Sequence, residues 1–216
     1  MVNLLEELVL LTIDDDGSVA FTAGGSGFRM SAIGACLVEL NLAGRVDADL
    51  QAVRVLSAVP TGNAALDLVL AEVVRGPERP VQAWVRDLVP VSGDVVQQAL
   101  RSLADRGILK MQDARFLWVL KARRYPVVDG TEQKEAKLRI LHTLLGDDLP
   151  TPHDSTLLGL ARVGGLLEGF LSVAEIARLD ERIDKVGGLD LITKGVETAL
   201  REEQEQIARS FLAPIC

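Results

Sequence analysis

Cysteine, histidine and aromatic residues are all scarce in this 216-residue chain: two Cys, two His, and an aromatic share of 4% with a single Tyr. Cys36 and Cys216 give no disulfide framework, which fits a reducing compartment. His142 and His153 are too few for a conventional zinc site, and neither a metal nor another cofactor is expected. No charge-free apolar stretch of 18 residues occurs, so no bilayer span is predicted. Met1 to Ile13 is apolar but interrupted by Glu6 and Glu7, and it lacks the basic leader and small-residue cleavage site of a signal peptide. Cys216 stands last, where a prenylation signal needs it fourth from last. No repeat with a period of about 20 to 50 residues is present. The expectation is a soluble cytoplasmic protein whose contact with a membrane is peripheral.

What is present suits one domain spanning 1–216. Hydrophobic residues make up 48% and charged residues 25%, which excludes a disordered tail or a collagen-like fibre. At this length about 70% of the extended-chain surface can be buried, so the fold needs no metal or disulfide. Arg outnumbers Lys by 17 to 6, with Ala, Val, Leu and Gly abundant, in keeping with a high-GC bacterial coding bias. The net charge of -8 argues against general attraction to nucleic acid. Its distribution is uneven. Residues 101–125 carry seven basic side chains against Asp105 and Asp113, a local +5 that leaves -13 for the other 191 residues.

The spacing of apolar residues predicts an all-α, compact multi-helix globule with one or two small β-hairpins. Asn3 precedes a short buried helix within 4–13, ended by Asp14-Asp15-Asp16-Gly17, a solvated turn lacking the later ligands of a calcium loop. Residues 22–27 read as a glycine-rich flexible loop with no Lys-Ser/Thr to make it phosphate-binding. Ser31 is the predicted N-cap of a helix over 32–43, stopped by Gly44. Residues 45–56 suggest a β-ribbon, 63–74 a helix, and Pro80 the start of a short helix carrying Trp84. Ser92 is the predicted cap of a helix ended by Gly107. A hairpin follows, with strands at 108–111 and 116–120 joined by 112–115. Beyond Thr131 the pattern is helical over 132–145, 156–171, 173–185 and 189–212, with Ser172 and Glu175 as a capping box.

No nucleophile motif, zinc-protease motif or dinucleotide fingerprint appears, so a non-enzymatic role is expected. His142 reads as a packed or surface residue, and Asp147-Asp148 as a helix terminator. Attention falls on the basic island. Phe116-Leu117-Trp118-Val119-Leu120 is flanked by Arg115 and by Lys121, Arg123 and Arg124, a composition suited to the water–headgroup boundary of an anionic phospholipid membrane. The same segment can equally be a packed or self-associating hairpin guarded by charge, as in a soluble oligomeric scaffold without lipid affinity. A third reading is a winged helix presenting Gln97, Gln98 and Arg101 to DNA, with Arg115 on the wing. Nucleic acid is the least favoured partner because of the acidic body.

Several segments then carry a resemblance. Leu4-Leu5-Glu6-Glu7-Leu8-Val9-Leu10-Leu11, Gly34-Ala35-Cys36-Leu37-Val38-Glu39-Leu40, Pro60-Thr61-Gly62-Asn63, Val81-Gln82-Ala83-Trp84-Val85 and Leu103-Ala104-Asp105-Arg106-Gly107-Ile108-Leu109 resemble, in order, the Golgi phosphoprotein 3 family. The resemblance implies a mostly helical domain, attachment to the inner face of a membrane through phosphatidylinositol 4-phosphate, homo-oligomers through the hairpin, and cytoplasmic tails of membrane proteins as partners. The family's headgroup-binding Trp and Arg positions fall here on Thr22 or Gly24, Ile33, Gly93 and Val96. Two nearby cations are candidate replacements for the lipid headgroup: Arg29, four residues before Ile33, and Arg101, eight after Gly93. The alternative for both is an ordinary solvated arginine.

Overall fold

The computed structural model describes residues 2–14, 17–19, 25–49, 51–116, 120–128, 130–146 and 148–212, with backbone alone for 112–116, 120–124 and 211–212. The first helix, α1 (Leu4–Leu11), is buried at all eight positions. Its sequence has no polar face except Glu6 and Glu7, so the helix can only sit inside the molecule. Its N-terminus is closed by a capping box: Asn3 Oδ1 accepts from Glu6 N (2.9 Å) and the Glu6 carboxylate accepts from Asn3 N (3.0 Å). Glu39 takes a third otherwise unpaired donor, Leu4 N, at 2.7 Å.

Around α1 pack α2 (Ser26–Leu42), α5 (Ser92–Asp105), α6 (Thr131–Leu145) and α7 (Pro152–Val163). The second helix starts earlier than its sequence suggests. Gly25 is the N-cap and Ser31 lies inside the helix, fully buried, donating to Leu160 O of α7 at 2.9 Å. Phe28 and Met30, both buried, extend the apolar face upstream of Ser31, and this packing overrides the local cap signal. Ser26 and Gly27 therefore belong to the helix and not to a flexible loop, while 22–24 lie outside the described residues. Gly34 is needed for closeness: a Cβ there would overlap the Val196 side chain of α9 (Leu191–Leu212).

A first antiparallel ribbon follows α2, pairing β1 (Val46–Ala48) with β2 (Val53–Val55). Asp49 shapes its turn, accepting from Gln51 N, Ala52 N and Arg54 Nη1; the Arg54 bond is the main reason its carboxyl is lowered to about 2. Then come α3 (Ala64–Arg75), capped by Asn63, and α4 (Val81–Leu88), opened by Pro80. The fifth helix is entered through a single 3-10 turn, Val89–Val91. Ser92 is accordingly the first helical residue and no N-cap; its hydroxyl donates back to Val89 O at 2.6 Å.

The second ribbon pairs β3 (Gln112–Phe116) with β4 (Leu120–Arg124). This corrects the sequence assignment by several residues. The expected turn, 112–115, is strand, and the expected strand, 116–120, holds the connection, because Phe116 faces Leu120 across the last pair of the ladder. Leu109 bridges Val127 at the root, and Tyr125 N donates to Gly17 O. Gly17 has φ of 77° and lies so close that a Cβ would meet the Pro126 backbone, two reasons why only glycine fits.

The C-terminal third is α6, α7, α8 (Val173–Gly187) and α9. Instead of running from 156 to 171, α7 begins at Pro152, with Thr151 as N-cap, and stops at Val163 before Gly164 and Gly165, the latter at φ 66°. Proline in the first turn needs no N–H partner, which explains the earlier start. The Ser172–Glu175 capping box of α8 is present as its sequence suggests. The whole is a mainly α-helical fold with two small antiparallel ribbons. No helix among the described residues is long and apolar enough to cross a membrane.

Candidate functional site

The basic island folds onto the second ribbon. Register pairs run Gln112–Arg124, Asp113–Arg123, Ala114–Ala122, Arg115–Lys121 and Phe116–Leu120. Side chains alternate along a strand, so Asp113, Arg115, Lys121 and Arg123 occupy one set of register positions and Phe116, Leu120 and Arg124 the other. Leu117, Trp118 and Val119, which join the two strands, lie outside the described residues. Each strand, among the described residues, has the other as its main backbone neighbour. Among the described residues, the Leu109–Val127 bridge and the bond from Lys110 N to Pro126 O close the root of the ribbon, and the bond from Tyr125 N to Gly17 O ties that root to the body.

The two candidate headgroup arginines have different surroundings. Arg29 is half-buried on α2, and its guanidinium is committed to the protein: Nε donates to Ser92 Oγ at 3.1 Å and Nη2 to Val89 O at 2.9 Å. It clamps the 3-10 turn that leads into α5. Arg101 is exposed on α5. Ile33, one turn beyond Arg29, is fully buried, so those two residues do not share an accessible face. Gln97 is half-buried and accepts from the Tyr125 hydroxyl at 3.4 Å, which leaves it directed at the root of the ribbon.

A second constellation escaped sequence reasoning. Glu6 and Glu7 are both 2% exposed, and they hold different helices. Glu6 Oε1 accepts from Ser102 Oγ (2.7 Å) and Oε2 from Arg106 Nη1 (2.8 Å), locking α5 to α1. Glu7 Oε1 accepts from Arg139 of α6, and its Oε2 lies 2.5 Å from His153 Nε2 of α7. Arg139 Nε also pairs with Asp154 at 3.3 Å. The Glu7 contact raises the His153 pKa above its ordinary value; burial opposes this, the Glu7 and Glu39 charges add to it, and Arg139 subtracts. An open groove of about 350 Å³ lies beside this network, lined by Glu135, Leu138, Arg139, His142 and Asp154. The only sequence signal was the double carboxylate inside an apolar run.

These residues offer charge recognition and structural locking. Among the described residues no cluster of three His, Cys, Asp or Glu side chains is arranged to hold a metal ion. Cys36 is fully buried, and burial, with Glu39 nearby, pushes its thiol pKa far up.

Comparison with known proteins then decides the lineage. The family model described as Golgi phosphoprotein 3 (GPP34) matches residues 4–203. The chain belongs to that family. No curated protein gives a match. The GPP34 match takes in α1, both ribbons and most of α9, so the buried Glu6–Glu7 pair and the cationic ribbon both lie within the family's own domain. At the positions where the resemblance puts headgroup ligands, this GPP34 member has a buried Ile33, an exposed Gly93 and a half-buried Val96. Thr22 and Gly24 lie outside the described residues.

Proposed function

We propose that this protein is a non-enzymatic peripheral membrane protein that binds an anionic phospholipid headgroup, phosphatidylinositol 4-phosphate being the ligand the family resemblance implies. The observation that carries this reading is the ribbon. Arg115, Lys121, Arg123 and Arg124 are concentrated on a two-stranded element that stands apart from the helices, next to an apolar 116–120 connection. Four cations near an anionic surface contribute about 1 kcal/mol each, which alone gives roughly millimolar attachment. Tighter binding needs Phe116, Leu117, Trp118, Val119 and Leu120 to bury apolar area at the headgroup boundary. Arg101, exposed on α5, adds a further cation for the headgroup. Arg29 offers an anion less than its full fork, because its Nε–H goes to Ser92 and one Nη2 hydrogen to Val89, leaving Nη1 and the second Nη2 hydrogen. The cytoplasmic, inner-face location, the homo-oligomer through the ribbon and the membrane-protein tails as partners are parts of the same proposal.

Vesicle co-sedimentation tests it. Vesicles containing phosphatidylinositol 4-phosphate or phosphatidylserine should retain the protein, and phosphatidylcholine vesicles should not. Equal retention by neutral and anionic vesicles, or by none, refutes the reading; the second outcome leaves the scaffold role.

A further inference from the structure

We propose that Glu7, Arg139 and His153 form a proton-operated latch that fixes the first turn of α7 to α1, and that loss of the His153 proton loosens this turn beside the groove between α6 and α7. Nothing in this rests on lipid binding. The geometry is a single buried carboxylate divided between two helices. One Glu7 oxygen accepts from Arg139 of α6, and the other lies 2.5 Å from His153 Nε2 of α7. The imidazole and the Arg139 guanidinium are each 36% exposed as side chains, whereas the Glu7 side chain is 3% exposed. Protons can therefore reach the ring from solvent while the carboxylate beneath it stays dry.

Charge counting shows why the proton matters. With imidazolium present, Glu7 and Asp154 are balanced by Arg139 and His153. Without it, the cluster carries one uncompensated negative charge beside a dry carboxylate, an arrangement that burial penalises. The surroundings reinforce this. From α2, Glu39 adds negative charge; from α6, Glu135 and His142 line the groove with Arg139; on α7 itself, Asp154 pairs with Arg139. From α8, Asp180 is engaged by Arg162 near the far end of α7, and ahead of α9, Asp190 caps its own helix at Thr193. The Glu7 contact outweighs the burial and the Arg139 charge that oppose the imidazolium. The folded-state pKa is raised, so the contribution is complete below about pH 6.5 and disappears as pH rises through the folded value. The latch is closed while His153 is protonated and opens only above its raised folded-state value.

The rest of this turn is held locally, by Thr151 and Asp154 capping each other and by Thr156 Oγ1 donating to Pro152 O. Only His153 and Asp154 make polar ties from it to other helices among the described residues.

The test uses the full chain in a His142→Gln background, which leaves one imidazole to follow by proton NMR. The His153 midpoint should lie above 6.5 and fall by at least half a pH unit in Glu7→Gln. Amide exchange at 153–156, corrected for intrinsic base catalysis, should speed up about tenfold as pH passes the midpoint, and should lose that step in His153→Gln. A midpoint at or below 6.5, or the same exchange profile with and without His153, overturns the proposal. Should Glu7→Gln fail to fold, the His153→Gln exchange comparison decides alone.

Discussion

Glu7 and Arg139 are unequal partners, because one is dry and the other is a third exposed. Removing the arginine leaves a buried carboxylate short of its main cation, which costs about 3 kcal/mol or more. Replacing Glu7 with Gln lets Arg139 and His153 turn back to water, and the loss should be about 1–2 kcal/mol. Urea denaturation at pH 7 should therefore rank Arg139→Ala as the more damaging change; the reverse order would mean that the Glu7 carboxylate is hydrated. Trp84 presents a second asymmetry. It is 2% exposed, a Cβ at Gly76 would overlap its ring, and the Arg79 guanidinium sits 3.9 Å from the ring centroid. Its Nε1 has no hydrogen-bond partner among the described residues. Trp84→Ala should cost about 3–5 kcal/mol, whereas Trp84→Phe should cost far less, since it also removes an unpaired buried donor. Thermal unfolding of the two variants checks both figures. Trp84 was legible in the sequence because Pro80 sets the helix and the ring falls one turn along it. The ties of Glu6 and Glu7 to other helices were not, because those partners lie 96 to 146 residues away and no local pattern encodes such a pairing.

Among the elements, helix ends were read well at Gly44 and Gly107, both glycines of positive φ, but the end of α7 ahead of Gly165, also of positive φ, was read through. Starts were read well at Asn3, Pro80 and Ser172 and misread at Ser31 and Ser92. Ser31 and Ser92 have the chemistry of caps, yet each lies inside a helix and bonds to a carbonyl, Leu160 O and Val89 O. A serine hydroxyl serves equally as a cap or as a donor within a packed helix, and only the neighbouring helix decides between them. The second ribbon was found but misregistered. Its strands mix polar, charged and small residues without clear alternation, so the apolar 116–120 stretch attracted the strand assignment that belongs to the segments on either side. Since the ribbon adds little to the helical body, replacing 112–124 with a short Gly-Ser link should leave the helical circular dichroism signal intact and shift the melting temperature by only a few degrees. A large loss of helix would show that the ribbon is part of the core. The same variant should lose vesicle retention, and any self-association through the ribbon should go with it in light scattering.

For the whole molecule the governing fact is charge separation: +5 within residues 101–125 against -13 elsewhere. An anionic surface attracts one region and repels the rest, so net attachment is a difference between opposing terms, and both are screened by salt. At about 0.15 M the Debye length is roughly 8 Å, which shields the distant acidic body more completely than a ribbon in contact with lipid. Retention should therefore decline gradually with salt if the 116–120 segment inserts, and collapse if the attachment is electrostatic only. Two variants separate the components. Changing Lys121, Arg123 and Arg124 to Glu reverses the local field, from +5 to -1, and should abolish retention at every salt concentration. Changing Phe116 and Trp118 to Ser keeps every cation but removes most of the aromatic area, so retention should persist at about 0.05 M salt and vanish by about 0.2 M. If the aromatic variant matches the unmodified protein across the salt series, the connection does not enter the bilayer and the cations alone account for the attachment. If the charge-reversed protein still binds, the ribbon is not the membrane-facing element, and attention moves to Arg101 and the first turn of α5.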